Sequence, residues 1–233
     1  MRKLLYACMA WLLFAPLFLS AQPRWEGGVM VGISNYQGDL VAETIPLFKE
    51  GNISGGVMSR YVFTYSLAVR TNLMFGKITG DDYNYVEPYR RERGAKFSSS
   101  IFELSAVGEW EPLGQLRYLS RGRGFRKLVS PYLFAGLGFG FTNPKTDFSR
   151  VEDEGLKDEV ERDQNARYFK TRIVTPIGVG IKLDLSEYWV ASVEFGMRYP
   201  FTDYLDGVSF SGNPDKKDWY QFSGISIFKR FRD

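Results

Sequence analysis

The residues best suited to chemistry in this sequence are carboxylates, because none of its 233 residues is a histidine. Glu103 and Glu109 could act as a general acid and base. Along an extended strand, however, six residues would separate them by about 20 Å, too far for one reaction centre. Without histidine the chain also lacks the usual general base, the usual zinc ligand and the partner of a nucleophilic serine or cysteine. The sequence therefore predicts no enzyme.

For the other acidic or glycine-rich segments, a structural interpretation competes with a functional one. Carboxylates cluster in residues 80–82 and 202–207, where an aspartyl or calcium site competes with side-chain hydrogen bonds that close the loops. The acidic segment 150–167 lacks the residue order of a calcium loop, so solvation competes there with metal binding. Residues 136–140 alternate glycine with apolar residues, but they continue as a strand and do not enter a helix, unlike a dinucleotide loop. No metal and no cofactor is predicted.

The first 21 residues have the pattern of a secretory signal peptide. Basic residues open it, residues 4–19 are apolar, and Ser20 and Ala21 supply a small-residue cleavage site. An uncleaved anchor is the alternative, since the apolar segment approaches spanning length. Cleavage would leave residues 22–233 as one domain and would remove Cys8, the only cysteine. No disulfide is then expected.

Beyond this segment, apolar residues alternate strictly with polar residues and glycine, the pattern of strands with two different faces. Residues 187–199 give the clearest case, with an apolar face formed by Trp189, Ala191, Val193, Phe195, Met197 and Tyr199. This face begins and ends with an aromatic residue, as lipid-facing strands do. Similar patterns occupy residues 24–34, 53–61, 66–77, 98–111, 129–142, 171–184 and 219–231. Together they give eight candidate strands.

Alternation alone does not separate a membrane barrel from a soluble β-sandwich, which remains the alternative. The opposite faces, however, carry glycine and charges of both signs: Arg70, Glu103, Glu109, Arg172, Lys182, Glu194 and Arg198. Such faces suit the interior of a narrow barrel, which side chains fill. Strands of about ten to thirteen residues also match a tilted membrane strand better than an ordinary one. The sequence predicts an all-β, transmembrane, antiparallel up-and-down β-barrel of about eight strands in the outer membrane.

The predicted connections alternate in length. With both termini in the periplasm, the outward loops are residues 35–52, 78–97, 143–170 and 200–218, and the inward turns are 61–65, 112–128 and 184–188. The inward segment 112–128 is unusually long and basic, with Arg117, Arg121, Arg123, Arg126 and Lys127. It is either a solvated turn or a docking surface for an acidic periplasmic partner.

Five segments carry a family resemblance: residues 26–40, 76–82, 97–104, 131–138 and 194–209. The last, in which Phe-Thr-Asp-Tyr-Leu-Asp is followed by Gly-Val-Ser, is the most specific. Together they resemble a Bacteroidetes outer-membrane barrel family that includes PorG of the type IX secretion system. The resemblance implies a structural role, without catalytic residues, in anchoring or positioning a periplasmic ring of PorK- and PorN-like proteins at the outer membrane.

Two other functions stay open at this point. One is an OmpA-like structural or adhesin barrel that acts through its long outward loops. The other is a small pore or ligand-uptake barrel, which is disfavoured because eight strands leave no open channel. The formal charge of +3 is small and evenly spread, so nucleic acid is not an expected partner.

Overall fold

The computed structural model describes residues 24–41, 50–119, 127–151, 154–167, 169–202, 204–213 and 217–231. The predicted signal peptide, residues 1–21, lies outside these described residues. No helix within them is both long enough and apolar enough to cross a membrane.

Eight antiparallel strands form a closed barrel in sequence order. They are β1 (Arg24–Gln37), β2 (Asn52–Val62), β3 (Leu67–Asp81), β4 (Lys96–Trp110), β5 (Val129–Asp147), β6 (Thr171–Asp184), β7 (Trp189–Tyr199) and β8 (Trp219–Arg230). Each strand pairs with its sequence neighbours, and β1 pairs with β8 from Glu26↔Arg230 to Gln37↔Trp219. The barrel therefore has no open edge, and the predicted all-β, eight-stranded architecture is confirmed.

Strands β3, β4 and β5 extend further toward one end than the sequence pattern predicted. β3 continues to Asp81, β5 continues to Asp147 and β4 begins at Lys96, whereas the alternation suggested ends at residues 77 and 142 and a start at residue 98. The glycine, asparagine and proline residues beyond those points resemble loop residues. Strand pairing nevertheless continues through them to a row in which Asp81 is opposite Lys96 and Lys96 is opposite Asp147. These strands form a ribbon that rises above the rest of the barrel.

The outer surface of the barrel is an apolar band. Strand residues alternate between buried and exposed, and the exposed set includes Val31, Leu137, Ile177 and Val193, each more than half exposed. Exposed aromatic residues border the band at one end, namely Trp25, Phe63, Trp110, Trp189 and Phe231. At the other end Phe75, Phe102 and Phe141 do the same. Such an apolar surface is favourable in contact with lipid hydrocarbon and unfavourable in water, so the band is typical of membrane barrels.

Short helices lie only in the connections, within the part of the chain that the structure describes. α1 (Pro88–Arg93) and α3 (Lys157–Asn165) lie in two of the long connections, and we call that end of the barrel the outer end. α2 (Gly114–Leu119) lies at the opposite, inner end. Pro88 begins α1 and Gly94 ends it in a left-handed conformation with φ 56°, which glycine adopts without steric cost.

Candidate functional site

The barrel interior contains a buried ion-pair network centred on Glu109 of β4. Its Oε2 lies 2.9 Å from Nε of Arg60 and 2.7 Å from Nζ of Lys182, and its Oε1 lies 3.1 Å from Nε of Arg70. All four side chains are buried. Three cations from three other strands therefore share one carboxylate.

The remaining pairs extend this network to the inner end of the barrel. Arg60 also pairs with Glu26 at 2.7 Å, and Arg70 pairs with Glu194 at 2.6 Å. Among the residues that the structure describes, the network has five cations and five carboxylates, namely Arg60, Arg70, Arg117, Lys182 and Arg230 with Glu26, Glu109, Glu111, Asp184 and Glu194. Its formal charges balance, so mutual attraction offsets the cost of removing each ion from water.

A second polar group lies nearer the outer end. Glu103 pairs with Arg198 at 3.3 Å and accepts hydrogen bonds from Tyr220 Oη at 2.7 Å and Ser105 Oγ at 2.9 Å. It therefore belongs to a different cluster from Glu109. The structure thus gives the two glutamates different sets of partners.

Aromatic rings fill the space between the interior charges. The guanidinium carbon of Arg60 lies 3.8 Å from the centre of the Phe228 ring, and Nζ of Lys182 lies 4.5 Å from that of Tyr132. Glycine makes room for these rings, because a Cβ on Gly180 would lie 2.5 Å from ring carbons of Tyr132. The interior is thus packed with side chains, as expected for eight strands.

The outer mouth of the barrel is covered by the connection between β7 and β8, of which the structure describes residues 200–202, 204–213 and 217–218. Leu205, Asp206 and Val208 of this loop are fully buried. The backbone carbonyl of Asp206 accepts a hydrogen bond from Thr146 at the end of β5. The sequence predicted an outward loop here, but its central residues turn back into the barrel and form a lid.

The lid is attached to β1 through one tyrosine. The Tyr36 hydroxyl lies 2.5 Å from Asp206 Oδ2 and 2.8 Å from Asp218 Oδ1, and it accepts the Asp39 amide at 2.9 Å. A phenol has one hydrogen to donate, so the second carboxylate contact requires a protonated carboxyl. Burial raises the pKa of Asp206 well above its ordinary value, and the charge of Asp218 raises it further. Of the two carboxyls, Asp206 is therefore the one whose surroundings favour the protonated form.

Other loops close over the lid through buried carboxylates. Asp82 accepts two hydrogen bonds from the Arg93 guanidinium at 2.8 Å, and Arg93 also donates to the Asp39 carbonyl at 2.9 Å. Asp163 on α3 accepts the amides of residues 209, 210 and 211 and the Ser211 hydroxyl at 2.6 Å. The described parts of the outer connections are thus joined to one another by hydrogen bonds.

In both carboxylate clusters noted in the sequence, an aspartate accepts a hydrogen bond from the backbone of its own loop. Asp81 accepts the Tyr83 amide at 3.0 Å, and Asp206 accepts the Val208 amide at 2.8 Å. These are the local loop-closing bonds that were one of the two interpretations. Among the described residues, no group of three or more carboxylate, histidine or cysteine side chains is arranged to hold a metal.

The predicted docking residues divide into three cases. Arg117 on α2 is buried and pairs with Glu111 at 2.5 Å and Asp184 at 2.8 Å, so its charge is not presented at the surface. Lys127 is exposed. Arg121, Arg123 and Arg126 lie outside the described residues.

The pKa of Glu111 reflects its two buried ion pairs, one with Arg117 and one with Lys182. Burial alone would raise the pKa of this carboxyl, but the nearby charges of Lys182 and Arg117 lower it below its ordinary value. Arg117 and α2 therefore close the inner end of the interior network.

Sequence reasoning missed Tyr36, Asp39 and Asp218, which join the lid to the barrel. A signal was present, because Tyr36 continues the inward-facing positions of β1 and carries a polar hydroxyl at the strand end. It also missed Glu26 and Arg60 as interior charges, although both lie on the inward face of their strands.

Closed strand pairing, a charged interior and an exposed apolar band define a transmembrane β-barrel of the outer-membrane type. The chain belongs to the family described as a domain of unknown function, DUF6089, whose model matches residues 2–233. No curated protein is significantly similar to it in sequence.

Solved outer-membrane barrels share the fold. Neisserial surface protein A is 10% identical with a TM-score of 0.50, covering 89% of this chain and 97% of its own. Ail of Yersinia pestis is 11% identical with a TM-score of 0.44, covering 91% and 100%. OprG of Pseudomonas aeruginosa is 10% identical with a TM-score of 0.45, covering 91% and 97%.

Proposed function

We propose that this protein is a non-enzymatic structural barrel of the outer membrane that acts through the surfaces it presents at its two ends. The observation that carries the proposal is the filled interior. Balanced ion pairs occupy the inner half, and the described residues of the lid cover the outer mouth. Such a barrel offers neither an open path for solutes nor an accessible reaction centre.

The particular role we propose is in type IX secretion, as an anchor that positions a periplasmic ring of PorK- and PorN-like proteins. The support is the sequence resemblance, above all residues 194–209. These residues include the end of β7 and the buried residues of the lid. The most family-specific segment therefore also supplies the side chains that close the outer mouth. Export after cleavage of residues 1–21 belongs to the same proposal.

The docking surface that we propose is the inner segment after α2, with Arg121, Arg123, Arg126 and Lys127. Arg117 is left out of this surface because its guanidinium is paired inside the barrel. A cluster of basic residues at the inner end would attract an acidic partner and orient it before contact.

Deletion of the gene, followed by quantification of type IX cargo in the medium, tests the secretion role. We expect cargo to be lost from the medium and restored by the wild-type gene. Normal secretion in the deletion strain would refute the role in secretion and leave an OmpA-like structural or adhesin barrel. Steady ion conductance in planar bilayers would instead favour a small pore.

A second experiment tests the docking surface itself. Substituting Arg121, Arg123 and Arg126 with Glu should reduce recovery of the ring proteins in a pull-down from solubilised membranes. Substituting Glu92 with Lys at the outer end serves as a control, because it also reverses an exposed charge but lies at the opposite end of the barrel. Equal recovery from the triple variant would refute this surface.

A further inference from the structure

A row of phenylalanines marks where the apolar band ends on the ribbon of β3, β4 and β5. Phe75 is opposite Phe102, and Phe102 is opposite Phe141. All three rings are exposed on the outward face. In a membrane barrel this level is the outer boundary of the hydrocarbon.

Polar residues cover the same outward face directly above this row. Lys77 is opposite Ser100, which is opposite Asn143, and one step higher Ser98 is opposite Lys145. Lys77, Ser100 and Lys145 are exposed, and the other two are partly exposed. We call these five residues the outer polar patch. The two lysines lie on its two outer strands, with hydroxyl and amide groups between them.

The two lysines of this patch differ from nearby lysines in their ion pairs. Lys96, at the top of β4, lies 3.5 Å from Asp81, and Lys157 on the loop above lies 2.9 Å from Glu154. Neither Lys77 nor Lys145 forms an ion pair with any residue that the structure describes. Both residues are placed just above the phenylalanine row, a level from which the long side chain of a lysine can carry its ammonium group into the headgroup layer.

We infer that the outer polar patch binds the phosphorylated sugar headgroup of a glycolipid in the outer leaflet. Two lysines supply the charge that complements phosphate groups, and Ser98, Ser100 and Asn143 supply partners for sugar hydroxyls. Across three strands the patch is about 10 Å wide, which suits a headgroup of two sugars. The inference is independent of the secretion role and depends only on the placement of the barrel in the membrane.

Titration of the full barrel in detergent with lipid A that carries two phosphates, followed by native mass spectrometry, tests this inference. Each lysine near a charged membrane surface contributes about 1 kcal/mol, so K77Q and K145Q should each weaken binding about fivefold and the double variant about thirtyfold. The matched control is K157Q, which removes one outer lysine away from the patch and should leave binding unchanged. All substituted side chains are exposed, so the barrel is expected to fold.

Phosphatidylglycerol provides the comparison of headgroups, because it has a phosphate but no sugar. Preference for lipid A together with its loss in the double variant supports the inference. Unchanged affinity of the double variant would overturn it, and so would equal binding of phosphatidylglycerol and lipid A by the wild-type barrel.

Discussion

Glu109 on β4 and Lys182 on β6 form a 2.7 Å ion pair across the barrel interior, although β5 lies between their strands. On β5, Phe134 is opposite Glu109 and Ser130 is opposite Lys182. The two charges meet over this strand within the lumen. The pair therefore joins strands that share no hydrogen-bond ladder, and removing either partner would leave the other as a buried charge with less compensation.

Removing Glu109 is predicted to destabilise the barrel strongly. Glu109→Ala would leave Arg60, Arg70 and Lys182 with one carboxylate fewer, and an uncompensated buried charge costs about 3–5 kcal/mol. Urea unfolding in lipid vesicles measures the change. Glu92→Ala, an exposed residue of α1, should change stability by less than about 0.5 kcal/mol. Equal stability of the two variants would refute the structural importance of the network.

Arg117 and Lys127 are predicted to contribute very differently to the stability of the barrel. Arg117→Ala removes the cation shared by Glu111 and Asp184, so it should lower the unfolding free energy by about 3–5 kcal/mol. Lys127→Ala should leave stability unchanged, because the residue is exposed. Thermal unfolding of the two variants checks this. A destabilised Lys127→Ala protein beside a stable Arg117→Ala protein would contradict it.

Gly180 and Gly108 provide a matched pair for interior packing. A Cβ on Gly180 would lie 2.5 Å from the Tyr132 ring, which is fixed by a 2.8 Å hydrogen bond to Glu194. Gly180→Ala should therefore cost about 1–3 kcal/mol through overpacking. Gly108 has open space outside, with the nearest atom 3.9 Å away, so Gly108→Ala should be tolerated. Chemical denaturation would show the difference, and equal effects would argue against a tightly packed interior.

The lid is predicted to loosen as pH rises. Because the pKa of Asp206 is raised in the folded protein, the folded state holds a proton that the open loop releases. Its contribution is complete below the ordinary aspartate pKa and is lost as pH rises through the raised value. Hydrogen exchange of residues 200–218, corrected for intrinsic rates, should therefore increase with pH. Asp206→Asn keeps a neutral side chain, so a pH response that persists in this variant would assign it to another group.

The strand pattern was predictable because lipid and lumen impose opposite demands on alternate residues. Val193 and Glu194 are neighbours in sequence, and the first is exposed to lipid while the second is buried. The strand ends were less predictable, since Asn143 and Pro144 resemble loop residues although pairing with β4 carries β5 through them.

The partners within the interior could not be predicted from one sequence. Arg70 could pair with any carboxylate on an inward face, and its choice of Glu194, 124 residues away, depends on barrel closure and on the stagger of the strands. The burial of the lid could not be predicted either. The sequence indicates a polar loop at residues 200–218, whereas its burial depends on Tyr36 and Thr146 from distant strands.

The pairing of β1 with β8 has a consequence for the order of folding. Glu26 meets Arg230 at 3.1 Å across a separation of 204 residues, so the second strand to border β1 is the last to be made. Until it arrives, β1 has an unsatisfied edge and Glu26 lacks one of its cations. Closure of the cylinder thus depends on pairing between the strands that lie farthest apart in the sequence, and a chain without β8 would remain an open sheet.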